Sequence, residues 1–192
     1  AYLSVINNPG DEIRLRRIIN TPKRGIGDKS ADTAAQIGQQ TGESMFEVIT
    51  HPGDFPAISR AANKLQPFVV MMQGLIEKNE AGMSPSELYA ELLLQTNYVE
   101  FLRADDPEKA EGRVENVQEL SSMLQRYEQE SGEEASLSGF LEEVSLFTDI
   151  DNYDAQSDSV VMMTVHSAKG LEFPVVFLPG WEEGVFPGNA VL

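Results

Sequence analysis

Apolar residues recur every three or four positions through most of the chain, which is the spacing that lets one face of an α-helix be buried. Such helices are predicted over residues 11–20, 28–41, 44–50, 57–79, 84–95, 98–103, 106–130 and 136–147. The start at Ser84 is the clearest, because Pro85 suits the first helical position and Glu87 completes a capping box. Ser136 is predicted to cap the last helix.

Two positions modify this helical pattern. The helix over residues 28–41 is predicted to take its N-cap from Asp28 or Ser30, whose side-chain oxygens can accept a backbone N–H. Pro67 lies inside the segment 57–79 and is predicted to kink or split that helix, because its ring has no N–H and crowds the preceding turn.

The pattern changes near Asp158. Residues 160–165 and 174–178 are apolar runs rich in β-branched side chains and bounded by turn residues, which predicts two buried strands. Residues 148–159 are acidic and carry no periodicity. The fold class is therefore predicted to be mainly α, with a helical domain over residues 1–150, an acidic linker over 151–159 and an α/β fragment with about two strands over 160–192.

Composition narrows the class of protein. A chain of 192 residues with 41% hydrophobic content can build one substantial domain, or one domain and a fragment of another. No apolar run approaches the roughly 20 residues of a membrane span, and the first residues lack the features of a secretory signal. The chain begins with Ala1 rather than Met, so we expect a piece of a longer protein. With no cysteine, disulfides and thiolate metal sites are excluded, which favours a cytoplasmic location.

Charge is unevenly distributed along the chain. The net charge of −17 argues against a general nucleic-acid-binding surface. Six of the fourteen basic residues nevertheless fall within the first thirty positions, whereas seventeen of the thirty-one acids lie between Glu100 and Asp158. Two interpretations of the basic segment stay open: a local grip on a phosphate backbone, or an ordinary solvated helix face.

The segment between the first two long helices has the features of a phosphate contact. Gly25 and Gly27 would let backbone N–H groups approach an oxyanion without obstruction by a Cβ, and the following helix would present its positive end. Lys23, Arg24 and Lys29 add positive charge. Such a contact carries no sequence information. The alternative is an interhelical turn without a ligand; a nucleotide-binding P-loop is excluded, because the G-x-x-x-x-G-K spacing and a preceding strand are absent.

Other candidate sites are weaker. His51 belongs to a predicted turn, with no second metal-ligating histidine or cysteine nearby. Asp149, Asp151 and Asp154 have part of the spacing of a calcium loop, but the central glycine and terminal glutamate are missing. No metal site and no catalytic residue is predicted.

Two motifs carry a resemblance to a known family. The string that begins at Thr164 and continues through residues 166–173 and 174–178 closely resembles motif V of the superfamily 1 DNA helicases of the UvrD/PcrA/Rep type, and residues 182–187 are similar to the family as well. Residues 22–27 resemble the GIG-type motif of helicase subdomain 2B, and they precede motif V as in the family.

The resemblance implies a function for each motif. Thr164 and His166 would face single-stranded DNA, and Glu172 would bind the ribose of ATP, with Lys169 and Gly170 beside it in an incomplete ATP site. The duplex-DNA contact would comprise Lys23, Arg24, Gly25, Ile26, Gly27 and Lys29. The family's phosphate-cradling loop, its Asp-Glu box and its arginine-bearing motif are not found here, so no ATPase activity is expected from this piece alone.

The resemblance implies part of an ATP-dependent 3′→5′ DNA helicase of repair or recombination, made of helical subdomain 2B and part of subdomain 2A. The parent enzyme would use ATP and Mg²⁺, with neither bound to this piece. Its partners would be duplex and single-stranded DNA, subdomains 1A and 1B, the rest of 2A and repair proteins, with no membrane. Two alternatives stay open: a helical protein–protein interaction module, and the equivalent region of a RecB- or AddA-like helicase-nuclease.

Overall fold

A computed structural model describes residues 1–146, 160, 162–165, 168, 172–180 and 182. The chain divides into two units, Ala1–Leu146 and Phe147–Leu192. Among the described residues, no helix is long and apolar enough to cross a membrane.

The first unit is helical, as predicted. Its α-helices are α1 (Tyr2–Asn7), α2 (Glu12–Ile18), α3 (Asp28–Thr41), α4 (Met45–Thr50), α5 (Ala62–Glu80), α6 (Pro85–Thr96), α7 (Tyr98–Asp105), α8 (Ala110–Ser131) and α9 (Leu137–Leu146). Short 3₁₀ turns span Pro52–Asp54, Ser59–Ala61 and Gly132–Glu134.

Local capping explains several of these boundaries. The Ser84 hydroxyl accepts the Glu87 N–H at 3.3 Å, and Pro85 takes the first helical position, which confirms the predicted start of α6. The predicted capping box is incomplete, because the Glu87 side chain does not accept the Ser84 N–H. The Ser136 hydroxyl accepts the Gly139 N–H at 3.2 Å at the start of α9, also as predicted.

Three predicted starts are wrong. The helix predicted from residue 57 begins at Ala62, after the 3₁₀ turn Ser59–Ala61. The N-cap of α3 is Gly27, whose extended backbone precedes the helix, so Asp28 already lies in the first turn and neither Asp28 nor Ser30 is the cap. The helix predicted from residue 106 begins at Ala110, because Asp106 ends α7 with a non-helical backbone and its carbonyl accepts the Lys109 N–H in a turn.

Pro67 does not split its helix, since α5 runs without interruption through it. The missing N–H leaves one carbonyl, that of Asn63, without its usual i→i−4 donor, and Asn63 is exposed to water. Leu65 and Phe68, on either side of Pro67, are almost fully buried. Their burial offsets the loss of one hydrogen bond.

The core of the first unit is a continuous apolar cluster to which α1 to α6, α8 and α9 contribute. Helix α5 packs against α1, α4 and α6, and α8 packs against α6 and α7. Of the apolar side chains predicted to be buried in the segment 11–20, Leu15, Ile18 and Ile19 are at most 3% exposed. Ile13 does not follow this pattern, because it is 77% exposed.

The two-strand prediction for residues 160–192 is not confirmed, because no strand occurs among the described residues of the second unit. The described apolar side chains of both runs are largely exposed, including Val160, Met162, Val175 and Phe177. A buried strand draws its stability from neighbouring strands and from helices on the sheet faces, and the described residues of this unit form neither. The acidic segment 151–159 lies outside the described residues.

Candidate nucleic-acid interface

The connection between α2 and α3 forms a glycine corner, defined here as residues 22–29. Gly25 has a φ of +70°, a left-handed conformation that favours glycine. Gly27 caps α3 without a side-chain hydrogen bond, and its φ of −81° is ordinary. The first N–H groups of a helix have no acceptor within it, so the start of α3 offers backbone donors and a positive dipole end to an anion.

Asn20 holds the corner in shape. Its Oδ1 accepts the Arg24 N–H at 2.8 Å and the Ile26 N–H at 3.2 Å, on either side of Gly25. The Ile26 side chain is 1% exposed and joins the apolar core, and its N–H is already donated to Asn20, so Ile26 anchors the corner rather than offering a donor to a ligand. Sequence reasoning missed Asn20, although an asparagine after the last apolar residue of a helix is a common turn former.

The Arg24 side chain turns inward. Its Nη1 donates to the carbonyls of Ile18 at 2.9 Å, Pro22 at 3.2 Å and Ile19 at 3.3 Å. Its Nη2 donates to the Tyr2 hydroxyl at 2.6 Å. The guanidinium also lies over the rings of Phe68 and Tyr2. Three of its five N–H donors are therefore engaged within the protein, two on Nη1 and one on Nη2.

Three lysines remain at the corner with exposed side chains. Lys23 and Lys29 are exposed and belong to the corner itself. Lys64, from α5, is brought beside it: a Cβ built at Gly25 would lie 3.6 Å from the Lys64 Nζ. Within the part of the chain that the structure describes, none of the three takes part in an ion pair. The one acid of the corner, exposed Asp28, opposes an anion there.

Two of the three arginines of α2 are paired with neighbouring acids, whereas Arg17 is exposed and forms no ion pair among the described residues. Arg14 contacts Asp11 at 2.6 Å, and Arg16 contacts Glu12 at 2.9 Å and Asp32 at 2.6 Å. The hydrogen bonds from the backbone and side chain of Arg14 lower the pKa of Asp11. The unpaired positive charge of the first thirty residues therefore lies at the glycine corner and on Arg17.

The motif V residues are described only in part. Thr164 and Glu172 are exposed, and the Thr164 carbonyl accepts the Ala168 N–H at 3.1 Å. His166, Lys169 and Gly170 lie outside the described residues. The ssDNA and ATP contacts therefore stay predictions. Among the described residues, no cluster of His, Asp or Glu side chains could hold a metal ion.

Comparison with known proteins assigns the family. The chain matches the UvrD-like helicase C-terminal domain over residues 1–191. It is 40% identical over 198 residues to ATP-dependent DNA helicase PcrA of Bacillus subtilis, which covers 100% of this chain. It is 41% identical over 189 residues to PcrA of Staphylococcus epidermidis, which covers 97% of it. The chain spans 26% of the length of each relative. It belongs to the family of UvrD-like helicase C-terminal domains.

Proposed function

We propose that this chain is the duplex-holding part of a PcrA-type, ATP-dependent 3′→5′ DNA helicase that acts in repair or recombination. The observation that carries the proposal is the glycine corner, where Lys23 and Lys29 flank a helix start that lacks a side-chain cap. Similarity to PcrA over the whole chain supports this interpretation over the RecB- or AddA-like alternative and over a protein-interaction module.

The corner is suited to a phosphate of the DNA backbone. Backbone N–H groups and a helix dipole favour an anion of any sequence, and the lysines add point charges. The contact residues are Lys23, Lys29 and the backbone of Gly25 and Gly27, whereas Ile26, whose N–H donates to Asn20, anchors the corner. Because the body of the chain is acidic, binding of DNA elsewhere on it is disfavoured, and affinity should be weak and strongly dependent on salt.

We place the coupling to ATP in the C-terminal segment. In this proposal Thr164 and His166 contact single-stranded DNA, while Glu172, Lys169 and Gly170 contribute to an ATP site that other subdomains complete. The chain is then subdomain 2B over residues 1–150, a linker over 151–159 and part of subdomain 2A over 160–192. ATP and Mg²⁺ are bound by the whole cytoplasmic helicase, together with subdomains 1A, 1B and the rest of 2A, and the chain by itself hydrolyses no ATP.

A binding titration tests the duplex contact. Fluorescence anisotropy of a labelled duplex of about 20 base pairs is measured at several salt concentrations with the chain and its variants. We expect Lys23→Gln and Lys29→Gln each to weaken binding and to reduce the slope of log K against log salt by about 0.9, the value for one phosphate contact. Lys109→Gln, which removes the same charge from the loop between α7 and α8, is the matched control.

The outcome decides between a duplex contact and a ligand-free turn. If all three variants bind the duplex alike, the glycine corner does not hold DNA. If the chain binds an unpaired strand as well as the duplex and the corner variants lose both, the contact is to a phosphate backbone in general rather than to the duplex.

A further inference from the structure

We propose that Arg24 is a positioning residue that fixes the glycine corner for the phosphate backbone, and that it is not itself a phosphate ligand. This inference rests on the proposed function and deepens it. Of the basic residues of the corner, Lys23 and Lys29 contact DNA, and Arg24 holds the corner in position.

The direction of the guanidinium carries the argument. A phosphate ligand needs its planar fork of N–H groups directed toward solvent. The Arg24 fork instead donates to the carbonyls of Ile18, Ile19 and Pro22 and to the Tyr2 hydroxyl. Turning outward would break these hydrogen bonds and leave the Ile19 carbonyl at the end of α2 without a donor, while the Ile18 carbonyl would keep the Thr21 N–H.

The contacts of Arg24 join three helices at one point. The carbonyls of Ile18 and Ile19 lie at the negative end of α2, where a cation is favoured. The Tyr2 hydroxyl, on α1, accepts from Arg24 and donates to the Thr21 carbonyl at 2.6 Å. The guanidinium carbon lies 5.0 Å from the Phe68 ring centre on α5.

The backbone of the same residue leads directly into the ligand-facing segment. The Arg24 N–H is held by Asn20, and the next residue, Gly25, adopts the left-handed turn. The side chain therefore anchors one end of the corner, while the buried Ile26 anchors the other. Without the first anchor, the charges should stay in place but the N–H groups of Gly27 to Lys29 should no longer share a common direction.

Conservative substitution separates positioning from phosphate binding. Arg24→Lys keeps the positive charge but cannot reproduce a planar fork shared among carbonyls and a hydroxyl. We expect Arg24→Lys and Arg24→Gln to weaken duplex binding alike, by at least about fivefold, at a temperature where both remain folded by circular dichroism. Amide exchange at Ile26, whose N–H donates to Asn20, should accelerate in both variants.

A milder change, at Tyr2, controls for a general folding defect in the Arg24 variants. Tyr2→Phe removes the hydroxyl that accepts from Arg24 and keeps the ring. Because Tyr2 helps to position Arg24, Tyr2→Phe should weaken duplex binding although it removes no charge. Combined with Arg24→Lys, it should add less than about twofold, because both changes break the same hydrogen bond. Combined with Lys23→Gln, it should weaken binding further without changing the salt slope that Lys23→Gln shows by itself.

The results distinguish the two proposals. If Arg24→Lys binds within about twofold of the unsubstituted chain while the salt slope of Arg24→Gln falls by about 0.9, Arg24 is a phosphate ligand and the inference is overturned. If Arg24→Lys and Arg24→Gln both bind the duplex as tightly as the unsubstituted chain, the inference is overturned as well. If Lys23→Gln and Lys29→Gln have no effect, the duplex function fails instead; unchanged Ile26 exchange in Arg24→Lys would then overturn the positioning role too.

A separate observation supports a second proposal, that Lys64 is a further phosphate contact. Its Nζ and the two preceding carbons come within 3.6–3.8 Å of the position of a Cβ on Gly25, so α5 delivers a cation to the corner. Lys64 is exposed and in no ion pair among the described residues. We expect Lys64→Gln to reduce the duplex salt slope by about 0.9 while Lys109→Gln does not. If the salt slope of Lys64→Gln equals that of Lys109→Gln, Lys64 is not a phosphate contact, even if Lys23→Gln still weakens duplex binding.

Discussion

The Lys64 side chain lies over Gly25, with its Nζ 3.6 Å from the position that a Cβ would occupy there. That distance is an ordinary van der Waals contact, so Gly25 is constrained by its left-handed backbone and not by the neighbouring side chain. Gly27, two residues later, lacks the backbone constraint, because its φ is ordinary, and nothing lies within 4 Å of its Cβ position. The two glycines of one motif therefore serve different purposes.

The same substitution should change stability in opposite directions at the two sites. Gly25→Ser places a side chain on a left-handed residue, so we expect the free energy of unfolding to fall by about 1–2 kcal/mol. Gly27→Ser supplies the hydroxyl that α3 lacks at its N-cap, so the free energy of unfolding should rise by a few tenths of a kcal/mol. Urea denaturation measures both. Equal effects at the two positions would contradict the roles assigned to them.

A second change at Gly27 should separate stability from binding. Gly27→Asp caps α3 and complements its dipole, so the helix is stabilised, but the new carboxylate occupies the N–H groups and repels phosphate. We expect duplex affinity to fall at least about fivefold while unfolding becomes no easier. The matched control is Gly53→Asp in the Pro52–Asp54 turn, where a Cβ also meets nothing within 4 Å. Similar losses of affinity in both variants would refute the local explanation.

Helix positions were predictable where local chemistry decides them. Ser84 and Ser136 cap their helices as predicted, because cap and helix lie within one turn of sequence. Gly27 was missed as a cap because cap prediction looks for a side-chain oxygen, and here the helix begins without one. Of the two outcomes expected at Pro67, a kink or a split, the split is wrong, because the burial that outweighs one lost hydrogen bond is a tertiary property.

The residues of the candidate site were also predictable only where their chemistry is local. Glycines and lysines near residue 25 identified the corner from sequence, since their chemistry is local. The inward turn of Arg24 depends on Tyr2 and Phe68, which are distant in sequence, and the approach of Lys64 depends on the packing of α5. No periodicity in the chain carries such information.

A carboxylate cap that joins two helices should be important for stability. The Glu128 carboxylate of α8 accepts the Ser86 N–H at 2.6 Å and the Ser86 hydroxyl at 2.7 Å, at the positive end of α6. We expect Glu128→Gln to lower the free energy of unfolding by about 1 kcal/mol, since the charge-assisted pair is removed. Glu119→Gln, on the exposed face of α8, should change it by less than about 0.5 kcal/mol. Indistinguishable denaturation curves would contradict the cap.

Acid should destabilise the first unit through pre-formed carboxylate contacts. The Lys78 ammonium, 2.6 Å away, and then Gln95 lower the pKa of Glu91, and the Ser44 N–H lowers that of Glu47. A folded-state pKa below the unfolded value gives stability that is complete above the unfolded pKa and is lost as pH falls through the folded one.

The variant that checks this is Glu91→Gln. Its deficit in unfolding free energy should be present at neutral pH and should shrink as the pH falls below the ordinary glutamate value of 4.5. Lys78→Gln removes the main cause of the lowered pKa of Glu91. It should therefore also reduce the loss of unfolding free energy as the pH falls. Thermal melts across this pH range measure the effect, and a Glu91→Gln deficit that grows on acidification would reverse the sign.

Mapping backbone amides during a DNA titration tests the account most directly. With a short duplex added to the isotope-labelled chain at low salt, the largest chemical-shift changes should fall on the amides of Gly25, Gly27, Asp28 and Lys29, and they should fade as salt is raised. The amide of Lys109 should stay unchanged. Largest shifts on α8 or α9, with the glycine corner unmoved, would contradict the assignment of the duplex contact to the corner.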